Sequence, residues 1–157
     1  MSQRLERLLQ LLNLKKEITN QAFQELLQSK EQFVQNKTRH EQLVMYRQDY
    51  MQQMELIGNE GSTVGRLRNR IDFISHLDTA LIQLNSHLAQ LAKLRTKLEL
   101  KYRQAKTAEE GVDKLIERVK KAELIQTQRK DQKEIDEYAQ KQWYSKNTHD
   151  QSNPFGE

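Results

Sequence analysis

The chain of 157 residues contains no cysteine, one proline, five glycines and one tryptophan. Without cysteine there is neither a disulfide framework nor thiolate chemistry, which fits a cytosolic setting. With so little proline and glycine the chain has few places to turn, and it lacks the composition of a flexible polymer. Hydrophobic residues make up only 36%, against roughly 45–50% apolar with glycine counted in an ordinary domain, and the five glycines do not close the gap. Mean hydropathy is −0.94. One domain's length is therefore present without one ordinary domain's core. No apolar run reaches the ~18 residues of a membrane span. The segment from Leu8 to Leu14 comes nearest to a signal core, but Gln10 and Asn13 interrupt it and no small-residue cleavage site follows. A net charge of +4 from 26 basic and 22 acidic residues permits an acidic partner without demanding nucleic acid.

What the chain does have is a seven-residue repeat. Leu5, Leu8, Leu12, Lys15, Thr19, Ala22, Leu26, Ser29, Phe33, Asn36, His40, Leu43, Arg47, Tyr50, Met54 and Ile57 follow one another at alternating steps of three and four, and ten of the sixteen are apolar. That spacing keeps one helical seam facing a partner. Ser2 stands where a cap is needed. A second run, Ile74, Leu77, Leu81, Leu84, Leu88, Leu91, Arg95, Leu98, Tyr102, Ala105, Glu109, Val112, Ile116 and Val119, has twelve apolar members of fourteen. Between them lies Gly58-Asn59-Glu60-Gly61-Ser62-Thr63-Val64-Gly65, with three of the five glycines. This is the one stretch built to reverse the chain. The pattern predicts an all-α fold: an antiparallel two-helix coiled-coil hairpin with a longer second helix, comprising helix 3–57, turn 58–66 and helix 67–143 in a single unit over 1–144, then a disordered tail over 145–157.

If the turn centres near residue 62, facing core positions sum to about 124. Leu5 then meets Val119, Leu12 meets Val112, Leu26 meets Leu98, Phe33 meets Leu91 and Tyr50 meets Ile74. Small Ala22 is set against large Tyr102, and Lys15 shares a layer with Glu109. The second helix overruns the first after about residue 121, leaving a thin apolar stripe of Leu124, Ile125, Ile135, Tyr138 and Ala139. A lone helix in water is marginal without packing, so this end either frays or receives a partner.

Catalytic constellations are missing. The histidines His40, His76, His87 and His149 form no zinc-protease pair, and His40 falls on the seam as a packed residue. The glycine stretch lacks the Lys-Ser/Thr of a phosphate-binding loop. Glu109 and Glu110 have no pocket to raise a pKa. No enzyme, metal, cofactor or small-molecule substrate is expected. The basic stretch Lys93, Arg95, Lys97, Lys101, Arg103 and Lys106 is spread around the helix without interleaved aromatics, so a solvated face is the simpler reading than nucleic-acid binding.

Three segments resemble the FliJ family of the bacterial flagellar type III export apparatus: Arg4-Leu5-Glu6-Arg7-Leu8-Leu9-Gln10-Leu11, Tyr46-Arg47-Gln48-Asp49-Tyr50, and above all Asp131-Gln132-Lys133-Glu134-Ile135-Asp136-Glu137-Tyr138-Ala139. The resemblance runs over residues 1–143 in order. It implies a coiled-coil hairpin like the stalk of rotary ATP synthases, a monomer alone, that promotes assembly of the export ATPase FliI hexamer, touches the export gate protein FlhA and cycles substrate chaperones. It implies a cytoplasmic protein peripherally associated with the membrane, acting in flagellum biogenesis, motility and chemotaxis. The family's gate pattern matches Phe73, Ile74, Leu77 and Ala80, which puts gate contact at Phe73, Leu77 and Ala80. Leu84 stands where the family is polar and is not carried over, and Asn69-Arg70-Ile71 departs from the family's motif. The C-terminal signature puts ATPase or chaperone contact at Gln132, Lys133, Asp136 and Glu137. The alternatives are the related stalk of a virulence injectisome and a nucleic-acid-binding coiled coil.

Overall fold

A computed structural model of the chain describes residues 2–59 and 63–151. It holds two helices, α1 (Gln3–Asn59, 57 residues) and α2 (Val64–Gln151, 88 residues), and the fold is an antiparallel two-helix hairpin with the longer helix second. Helix α1 begins where the sequence provides a cap. The Ser2 Oγ accepts a hydrogen bond from the Leu5 amide at 3.1 Å, satisfying one of the amides that a first turn leaves without a helical partner.

The heptad frame is observed at every position. All sixteen frame residues of α1 and all fourteen of α2 are buried or half-buried, and nearly everything between them is exposed. On α2 the frame also extends backward by one repeat, to half-buried Leu67 and Arg70. The sequence pattern missed these because an arginine interrupts the apolar spacing. Forward it stops at half-buried Glu123, after which residues 124–146 are all exposed.

Two boundaries differ from expectation. The turn was placed at 58–66, yet α1 continues to Asn59 and α2 starts at Val64. Gly58 and Gly65 are both helical, so neither supplies the backbone freedom expected of it; Glu60, Gly61 and Ser62, the centre of that turn, lie outside the described residues. Glycine weakens a helix without terminating it, and a helix can begin after Thr63, whose carbonyl accepts the Leu67 amide at 3.2 Å. At the other end, helix replaces the expected disorder over 145–151. No proline intervenes before Pro154, and Thr148 returns its hydroxyl to the Tyr144 carbonyl at 2.6 Å. Residues 152–157 lie outside the described residues.

The chain divides into two compact units, each built from both helices: residues 1–13 with 110–157, and residues 14–109. In the first, Leu5, Leu12, Val112, Ile116 and Val119 form a buried cluster, with Leu8 and Leu9 packed against it. Burying side chains of this size stabilises by roughly 1.5–3 kcal/mol each. In the second, Ala22, Leu26, Ile74, Leu77 and Leu91 are buried along with Thr19 and Ser29. Its register is read from cross-helix partners. Lys101 Nζ donates to Glu25 Oε2 at 2.9 Å, Arg47 Nε donates to Asp78 Oδ1 at 2.5 Å, and the Phe23 and Tyr102 rings lie 5.5 Å apart. Each pair falls within a residue or two of the register expected from the turn. The expected layer of Lys15 with Glu109 is half-buried as placed, but the charges do not meet: Glu109 pairs with Lys106 at 3.8 Å, one helical turn away on its own helix.

Candidate functional site

The polar members of the frame are not gaps in the seam. Several of them find a specific partner in the 14–109 unit. Arg47 reaches across to Asp78 with both Nε and a second guanidinium nitrogen, the latter at 3.4 Å. This hydrogen bond, and then the carboxylate's charge, raise the Arg47 pKa above its ordinary value. The Arg95 guanidinium lies 4.9 Å from the centre of the Phe33 ring, and that of Arg70 lies 5.5 Å from the centre of Tyr50. Thr19 donates to the Lys15 carbonyl at 2.9 Å.

The expected gate residues fall into this setting with unequal exposure. Phe73 is 37% exposed and Ala80 half-buried, while Leu77 is a seam residue at 8%. Phe73 does not stand alone. Its ring is 4.8 Å from Tyr50 and 6.2 Å from Tyr46, with the latter pair edge to face, and the two tyrosines are 6.3 Å apart. The geometry suits the quadrupoles of the rings. Tyr46 is half exposed. Three aromatic rings from two helices thus form one surface patch, held beside the Arg47–Asp78 ion pair. The sequence placed Tyr50 on the seam and Tyr46 only within a resembling segment, and neither in a patch with Phe73. The signal that could have added them to the patch was the register, which sets Tyr50 opposite Ile74 and hence beside Phe73.

The second group of expected contact residues lies in the other unit, on the exposed part of α2. Gln132, Lys133, Asp136 and Glu137 are all exposed, and the Gln132 amide donates to Asp136 Oδ1 at 3.1 Å along the helix. Leu124, Ile135 and Tyr138 are each more than half exposed. At about 3.6 residues per turn these three share one face; Gln132 lies nearest to it, Asp136 and Glu137 lie further round on either side, and Lys133 lies opposite. Trp143 and Tyr144, also exposed, stack edge to face at 5.3 Å near the end of the helix. A stripe of this kind, with no packing partner among the described residues, is what a bound protein surface would cover.

Among the described residues no group of three or more His, Asp or Glu comes together to hold a metal ion, and no helix is long and apolar enough to cross a membrane. Two grooves among the described residues, one lined by Lys16, Tyr102 and Glu109 and one by Arg4, Arg118 and Glu123, are open, and no set of nucleophile, base and oxyanion donors converges in either.

A family model described as Flagellar FliJ protein matches residues 3–148, nearly the whole chain. No curated protein and no solved structure matches it.

Proposed function

Because the chain belongs to the flagellar FliJ protein family and so to flagellar protein export, we propose that it acts as the central stalk of the export ATPase, promoting assembly and activity of the FliI ring. It links that ring to the export gate FlhA and cycles substrate chaperones. The observation that supports this reading most is the run of α2 over 124–146, where every residue is exposed yet Leu124, Ile125, Ile135, Tyr138, Trp143 and Tyr144 are large and apolar. Ordering such a helix costs conformational entropy that its own packing does not return, and a surrounding ring of subunits would supply the missing contacts. Gln132, Asp136 and Glu137 lie to either side of the stripe and Lys133 opposite it, and polar contacts from them would fix the orientation of the helix in the ring.

The gate contact is assigned to the aromatic patch. Phe73 and Ala80 offer exposed area to a partner, Tyr46 and Tyr50 brace Phe73, and buried Leu77 holds the backbone in place beneath them. Rigid aromatic side chains give large contact area at small entropic cost, which suits an anchor. The proposed site of action is the cytoplasmic face of the export apparatus.

Mixing the purified chain with purified FliI tests the stalk assignment: ATPase rate and hexamer fraction should both rise. No change in either would overturn it. Tyr138→Asp with Ile135→Asp should abolish the effect while leaving helix content unchanged by circular dichroism.

A further inference from the structure

The basic stretch of α2 that the proposed function leaves unused is only partly neutralised. Lys101 pairs with Glu25 at 2.9 Å, Arg103 with Glu99 at 3.9 Å, Lys106 with Glu109 at 3.8 Å, and Arg95 lies over Phe33. Lys93 and Lys97 have no ion-pair partner among the described residues. They stand four residues apart on one line with Lys101, and beside that line Leu94 is 42% and Leu100 55% exposed. Between these side chains runs an open, mainly apolar groove of about 450 Å³. A second groove of about 200 Å³ shares Leu94 and Leu98 with it and crosses to α1, where Glu25 (held by Lys101), Gln28, Ser29 and Gln32 form the far wall. Ser29 is 3% exposed and its Oγ has no hydrogen-bond partner among the described residues.

We propose that this face docks an acidic amphipathic α-helix of another protein. Leu94, Leu98 and Leu100 would take its apolar stripe, and Lys93 and Lys97 its carboxylates. The charge and the grease alternate at helical spacing, so the complementary surface must alternate in the same way. A phosphate backbone would meet the lysines but gain nothing from covering two exposed leucines. The chain's own exposed helix over 124–146 fits poorly as occupant, because its basic and acidic residues nearly balance. A helix laid along the junction of α1 and α2 also follows ordinary packing, its ridge entering the groove between two neighbours. The surface is separate from the Phe73 patch and from residues 124–146.

The test measures fluorescence anisotropy of a labelled, helix-stapled peptide of about three heptads, leucine at a and d and glutamate elsewhere, titrated with the full-length chain. A scrambled peptide of the same composition and a lysine-for-glutamate version are the comparators. The amphipathic acidic peptide should bind at least about tenfold more tightly than the scrambled one, and raising salt should weaken it. Lys93→Glu with Lys97→Glu, and separately Leu100→Gln, should each weaken it by roughly tenfold, with circular dichroism unchanged. Equal binding of the scrambled peptide, or no effect of either variant, would overturn the proposal. So would a concentration-dependent dimer dissolved by Leu100→Gln, which would assign the face to a second copy. Tighter retention of a DNA duplex than of the peptide, lost with the lysine pair, would overturn it in favour of nucleic acid.

Discussion

Gly111 sits in the interior of α2, on an exposed face next to the buried seam residue Val112. A Cβ placed there would meet nothing within 4 Å, and its backbone is ordinary helix with no positive φ. Gly111→Ala therefore changes only the conformational freedom of the backbone. The unfolded chain loses states that glycine alone explores, and the folded chain is not strained. The expected gain is about 0.8–1 kcal/mol from the intrinsic helix preference of alanine. In a chain of this length that corresponds to a rise in Tm of roughly 2–4 °C. Denaturant titration followed by circular dichroism should show a higher midpoint with an unchanged slope. Gly58→Ala and Gly65→Ala provide the control. Both sites are equally open, but they lie one residue from a helix end, where less of the chain is fixed by helical hydrogen bonds. They should gain clearly less than Gly111→Ala. A loss of stability at 111, or equal gains at all three positions, would refute the reasoning, because propensity in an open helix interior could then not be the cause.

The other predictions concern the seam and the aromatic patch. Ile116→Ala removes the centre of the five-residue cluster in the 1–13/110–157 unit and should cost about 2–4 kcal/mol, read as lost midpoint and as faster amide exchange around Leu5 to Leu12. Ser29→Ala deletes a buried hydroxyl without a partner and should raise stability by about 1 kcal/mol, whereas Thr19→Ala, which removes a satisfied hydroxyl, should not; equal effects would contradict the assignment. Cysteines at positions 33 and 91 should crosslink readily in the monomer under mild oxidation, and absence of that product would exclude the register. Phe73→Ala should weaken binding to purified FlhA by at least about tenfold while Leu77→Ala should chiefly lower the midpoint of unfolding, a split expected from exposure at one site and burial at the other.

The fold was legible because its information is periodic. A coiled-coil seam requires apolar side chains every three and four residues, and that requirement is met or broken residue by residue along the chain. Leu5 to Ile57 and Ile74 to Val119 could therefore be assigned to the seam without coordinates. Leu67 and Arg70 could not, since an arginine in the frame reads as an end until its guanidinium is seen over the Tyr50 ring. The proposed contact residues were legible only through a resemblance. Gln132, Lys133, Asp136 and Glu137 carry no physical mark in the sequence that separates them from any other solvated helix face.

Composition and period alone thus determined the all-α class, the seam and the register, because each follows from local spacing and the position of one turn. The tertiary structure decided what spacing does not encode. It showed that Glu109 turns to Lys106 rather than to Lys15, and that Phe73 belongs to a three-ring patch rather than standing alone. It also showed that the basic stretch of α2 keeps Lys93 and Lys97 unpaired beside exposed leucines. Each of these depends on where flexible side chains end, and long charged or aromatic side chains choose among several neighbours within reach, a choice made only when both helices are in place.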